Sequence, residues 1–124
     1  MKRITYKQVK ALASCKDQPE KFKEFFGNSV FITEEVVETA LKEGFHLTYL
    51  CYSMIVIWQE TEVLDKYFPY WCRSHEVSYL KSILPKPKKP PEELLDWHRT
   101  VNKGLAGEYN YGTAKEYYEF LKSF

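Results

Sequence analysis

The chain has 124 residues and a mass of 14.8 kDa, with 44% hydrophobic and 28% charged residues, which is a one-domain length and excludes global disorder. A net charge of +1 argues against a dedicated DNA-binding protein, which is usually far more basic. Cys15, Cys51 and Cys72 are too few and too scattered for a disulfide framework, MKRITYKQVK lacks the apolar core of a signal peptide, and the longest apolar stretch, 47–58, is too short to span a bilayer, so a soluble protein in a reducing compartment is expected.

Helix signals recur along the chain. Thr5 is placed to cap a short helix carrying Val9, Leu12 and Ala13. Asp17 or Gln18 starts a second helix, with Pro19 in its first turn, where a missing N–H costs little. Phe22, Phe25 and Phe26 form its apolar stripe, and Gly27 suits the left-handed residue that ends it. Residues 28–32 read as a connector or a brief strand near 29–32. Thr33 caps a third helix, with Glu34 and Glu35 in its first turn, Val36, Val37, Ala40 and Leu41 on its buried face, and Gly44 closing it.

Periodicity does not decide 47–58, LTYLCYSMIVIW. The stripe Leu47, Leu50, Cys51, Met54, Ile55 and Trp58 fits a helix, but both faces are also apolar at strand spacing. Twelve residues is long for a strand and ordinary for a helix, so a buried central helix is expected. Thr61 is placed to cap the next helix, and Pro69 ends or kinks it near Phe68. A further helix is expected over about 70–82, with Trp71, His75, Tyr79, Leu80 and Ile83 mostly to one side. Four prolines and three lysines then fill 85–91, a stiff, extended link. Pro91 opens a helix with Leu94, Leu95, His98, Val101 and Leu105; Gly104, Gly107 and Gly112 loosen the segment after it. Thr113 caps a last helix lined by Tyr117, Phe120, Leu121 and Phe124.

The expected fold is mainly α: a compact bundle of six to seven short helices around a buried central helix, forming one domain over 1–124 with a Pro/Lys-rich linker at 84–91. The run CKDQPEKFKEFFGNSVFITEEVVETALKEGF, residues 15–45, carries Cys15, Gln18, Phe22, Phe26, Gly27, Thr33, Glu34, Ala40 and Gly44. In these positions it resembles a short helical module of uncharacterised phage and prophage proteins, with Ile32 where that pattern has Val before the Thr. The resemblance covers about a quarter of the chain. It implies a phage or mobile-element origin, and with it the cytoplasm of a bacterial host, but it implies no activity.

Chemistry-bearing motifs are sparse. Cys72 and His75, three apart in WCRSHE, have a spacing that suits two ligands of one metal or a thiol–imidazole pair, but no CxxC or HxxxH supplies more ligands, and burial is the better explanation of both residues. His98 falls in line with apolar residues, as a core histidine does. Glu34–Glu35 and Glu92–Glu93 sit at helix starts, where carboxylates are favoured anyway. No Gly-rich phosphate loop, GxSxG or HExxH occurs, and no cofactor is implied.

Two basic clusters remain: Lys2, Arg3, Lys7 and Lys10, and Lys81, Lys86, Lys88 and Lys89. If they meet on one face, they can neutralise phosphates beside stacking rings; otherwise they keep the surface solvated. The chain also has ten tyrosines and 17% aromatic residues, which serve either interfaces or core volume. Lys86, Lys88, Lys89, Tyr109, Tyr111 and Tyr118 are the expected partner-binding residues. The reading this favours is a non-enzymatic phage protein that binds and modulates a host protein complex, with a defence nuclease, as for anti-CRISPR proteins, as the concrete case. Its rivals are a nucleic-acid-binding accessory protein, a small enzyme using Cys72 or His75, and a virion or assembly part.

Overall fold

Thr5 ends a three-residue strand and begins the first helix. Its hydroxyl accepts from the Gln8 N–H, and the Gln8 side chain accepts from the Thr5 N–H, so two backbone donors are satisfied reciprocally. The computed structural model describes residues 1–13, 15–101 and 110–124. Strand β1 (Arg3–Thr5) runs into α1 (Tyr6–Leu12), followed by α2 (Asp17–Phe26) and β2 (Ser29–Phe31). The two strands pair antiparallel, with Arg3 opposite Phe31 and Ile4 opposite Val30. Then come α3 (Glu34–Lys42), α4 (Leu47–Val56), α5 (Thr61–Tyr67), α6 (Pro69–Ser74), α7 (Val77–Ile83), α8 (Pro91–Val101) and α9 (Ala114–Lys122). The protein is mainly helical with one short ribbon, and no helix among the described residues is long and apolar enough to cross a membrane.

The helix ends reflect local chemistry. Thr33 accepts from the Val36 N–H, and Thr113 forms a second reciprocal cap with Glu116. Gly27 and Gly44 both stand at φ +77°, a conformation that a side chain penalises. Pro69 opens α6 as its first residue, where its missing N–H has no partner to lose. Thr61 lies inside the first turn of α5 rather than before it; Glu60 is the capping residue and makes no side-chain cap.

Nine helices stand among the described residues, more than the six or seven the sequence suggests. One reason is that the helix expected over 70–82 is two helices, α6 and α7. His75 between them is extended, and its ring turns back to stack on Trp71 at 4.3 Å. The brief strand near 29–32 is β2, whose partner β1 carries no pattern of its own in three residues.

Helix α4 is the centre. Leu47, Thr48, Cys51, Ser53, Met54, Ile55 and Val56 are all buried, so it is wrapped on every side, as α1, α8 and α9 pack against it. Such a helix must satisfy its own ends. His46 provides no side-chain cap, and the deficit is met from 62 residues away: Asn110 Oδ1 accepts from the Thr48 N–H at 3.0 Å and from its hydroxyl at 3.2 Å. The amide of Asn110 also donates to the Phe45 carbonyl at 2.6 Å. The Thr48 hydroxyl shares a 2.9 Å hydrogen bond with Tyr117 of α9, and His98 of α8 donates from Nε2 to the Thr48 carbonyl at 3.2 Å. One polar knot thus ties α4, α8, α9 and the segment entering α9. Gly112 is needed there, because a Cβ would meet Val101 at 2.6 Å and the Tyr117 ring at 2.9 Å.

Burial pushes the His98 imidazole below its ordinary value; the Thr48 carbonyl opposes this, and Arg99 adds to it. As pH falls below about 6.5, the unfolded chain therefore takes up this proton before the folded one. The His98 contribution is complete above that pH and is lost below it. The urea midpoint is expected to fall between pH ~7 and pH ~5.5, and His98→Gln to flatten that slope whatever its own cost. An unchanged slope in the variant would assign the pH dependence elsewhere.

Candidate functional site

The Pro/Lys link is a strap pinned to the end of α9. The last carbonyls of that helix lack intrahelical donors and carry the negative end of its dipole. Cations meet them. The Lys88 N–H donates to the Ser123 carbonyl at 2.6 Å, and Lys88 Nζ donates to the Lys122 carbonyl at 3.2 Å. The Met1 ammonium donates to the Leu121 carbonyl at 3.4 Å and also to the Phe124 carbonyl. Burial lowers the pKa of that ammonium, with Lys88 and then Lys2 adding repulsion. Lys88 and Lys2, one from each basic cluster, therefore both stand near the amino terminus.

Pinning the strap opens a groove of about 390 Å³ between it, α8 and α9. Its floor is Leu94, Trp97 and Phe120, with the last two rings stacked 4.7 Å apart. Its rim holds Lys88, Lys89 and Lys122 against Glu93 and Glu119. Glu119 lies 4.0 Å from Lys122, whose ammonium also sits 5.1 Å from the Tyr118 ring.

The structure thus brings Lys88, Lys89 and, through Lys122, Tyr118 to one place. Lys86 is exposed on the strap but does not line the groove, and Tyr111, before α9, is not among the lining residues either. Tyr109 lies outside the described residues. Lys88 has a structural duty besides any contact with a partner, which the sequence does not reveal. Trp97, Phe120 and Lys122 join the groove without being among the partner-binding residues expected from sequence; only the i, i+3 pattern of Leu94 and Trp97 after Pro91 hints at an aromatic on the strap side.

A second hollow, of about 70 Å³, lies among α1, α2, α3 and α4. Its lining is mainly apolar, and it is well under the roughly 150 Å³ that holds a benzene, so it is a gap in packing.

The remaining candidates have structural explanations. Both ring nitrogens of His75 face backbone carbonyls, Nδ1 at 3.0 Å from Trp71 O and Nε2 at 3.3 Å from Leu12 O, so the ring locks α6 to α1. Burial, with Asp65 nearby, raises the Cys72 thiol, and burial raises Cys51 well above its ordinary value; both changes move away from a reactive thiolate. Cys15 is exposed. No group of three or more His, Cys, Asp or Glu side chains among the described residues could hold a metal ion. The carboxylate pairs Glu34–Glu35 and Glu92–Glu93 stand in the first turns of α3 and α8, as helix dipoles favour. No family model, curated protein or solved structure matches this chain.

Proposed function

We propose that this chain is a non-enzymatic, phage-encoded binding module that modulates or inhibits a protein complex of its bacterial host, a defence nuclease being the most concrete target. The supporting observation is the strap groove. An aromatic floor flanked by ammonium groups suits an acidic segment that inserts one apolar side chain and places its carboxylates on the rim. The strap is held in place before any partner arrives, so little ordering entropy remains to be lost on binding. The resemblance of residues 15–45 to phage modules supports the setting.

The test must spare Lys88, because reversing its charge would also damage the end of α9. Lys86→Glu with Lys89→Glu leaves that cap in place and should change the melting point little. In nuclease-treated host lysate, the tagged wild type is expected to retain one stoichiometric host protein. The double variant should retain about ten-fold less, the loss expected for about 1.4 kcal/mol of rim electrostatics. Equal capture by both would remove the groove from the interface.

A further inference from the structure

Eight cation–ring pairs within 6.0 Å stand among the described residues. Four of them gather on α1 and its neighbours. At about 100° per residue, Tyr6, Lys10 and Lys7 come one after another around the outward side of α1, opposite the buried Val9 and Leu12. On one flank, Lys23 of α2 lies 5.1 Å from the Tyr6 ring, with Lys10 6.0 Å from the same ring. On the other flank, Lys7 lies 5.8 Å from the Tyr79 ring of α7. Helix α1 packs on both α2 and α7, so the stripe crosses three helices. The ribbon that feeds α1 adds Arg3, whose guanidinium sits 4.3 Å over the Phe31 ring directly across the strands. That ring is 62% exposed, and Tyr79 is 40% exposed.

Among the described residues, none of these cations is paired with a carboxylate. The ion pairs there are Arg99–Asp96 and Lys122–Glu119, both elsewhere. The first sixteen residues hold five Lys or Arg, Lys16 included, and no Asp or Glu. Exposed Glu20 and Glu24 on α2 limit the positive surface on that flank, and exposed Glu76 at the start of α7 limits it on the other, so the path centres on α1 and the ribbon and reaches α7 at Tyr79.

The partner must match both features. An acidic protein segment that inserts an apolar side chain needs a groove, as beside the strap, and Phe31 and Tyr79 line neither of the hollows described above. A duplex offers phosphates but keeps its bases stacked inside. A single strand offers both phosphates and free base faces, and mobile lysines leave the rings to reach the phosphates. We infer that this face binds single-stranded nucleic acid, with bases stacked on Phe31 and Tyr79 and phosphates held by Arg3, Lys7 and Lys10. This site is separate from the strap groove and does not depend on it.

The test is fluorescence anisotropy with a labelled thymidine oligomer of about 16 nucleotides. Binding is expected at about 50 mM salt and should weaken steeply by about 200 mM. Lys7→Glu with Lys10→Glu should abolish it, and Phe31→Ala and Tyr79→Ala should each weaken it about five-fold or more. Lys86→Glu with Lys89→Glu should weaken it far less than Lys7→Glu with Lys10→Glu. Phe31→Leu and Tyr79→Leu, apolar but without a ring, replace any alanine variant that does not fold. No binding at the lower salt, equal affinity for a duplex of the same length, or indifference to loss of both rings would each overturn the inference.

Discussion

Asn110→Ala is expected to destabilise the fold by about 2–3 kcal/mol, a fall in melting temperature on the order of 10 °C. The residue lies outside every helix, where substitutions are usually mild. Its effect comes from what the amide replaces. The Thr48 N–H is an orphan donor in the first turn of a helix buried on every side, and it loses its acceptor in the variant. The Phe45 carbonyl loses a donor as well. Each stranded group costs about 1–3 kcal/mol when water cannot reach it, partly offset here because Asn110 is only half-buried. Thermal melting by circular dichroism measures the loss. A change under about 0.5 kcal/mol would mean that another group caps α4.

Trp71→Ala should cost more, about 3–5 kcal/mol. Helix α6 has six residues, and Trp71 is the one it buries. The indole fills core volume, donates from Nε1 to the Ser53 hydroxyl of α4 at 3.2 Å, and carries the stacked His75 ring that bridges to Leu12. Removing it leaves a cavity, strands a buried hydroxyl and frees the histidine together. Stability for a chain of this size is on the order of 6–19 kcal/mol, so α6 should open locally before the rest unfolds. Cys72, next along the same helix, then becomes the reporter: it should react with a thiol reagent much faster in Trp71→Ala than in wild type. Trp71→Phe keeps most of the packing and should fall between the two. Equal labelling rates in all three proteins would mean that α6 is held by something other than this ring.

The features legible in the chain are those that short-range chemistry decides. The caps at Thr5, Thr33 and Thr113, the stops at Gly27 and Gly44, and the breaks at Pro69 and Pro91 each need only a few neighbouring residues. The 47–58 stretch is assigned by length, because a helix buried all round has no polar face to set a period. The rest depends on distant partners. Strand β1 exists because Arg3–Thr5 finds Ser29–Phe31. The split between α6 and α7 reflects a His75 ring held by Leu12, 63 residues away. Asn110 reads as one polar residue in a glycine-rich loop, yet it caps the central helix. Among the candidate site residues, the sequence singles out the strap lysines but not their geometry: Lys88 reaches α9, Lys89 borders a groove, and Lys86 does neither. The aromatic floor is hidden because Trp97 and Phe120 come from helices joined only through the fold.

The proposed function rests on the strap groove as a preformed docking surface. The most direct measurement is site-specific photo-crosslinking in nuclease-treated host lysate, with the reactive side chain placed once at Lys89 on the groove rim and once at Lys115, exposed near the opposite end of α9. A docking groove predicts one discrete crosslinked host protein from position 89 and none from position 115. The same product from both positions, or from neither, would contradict it.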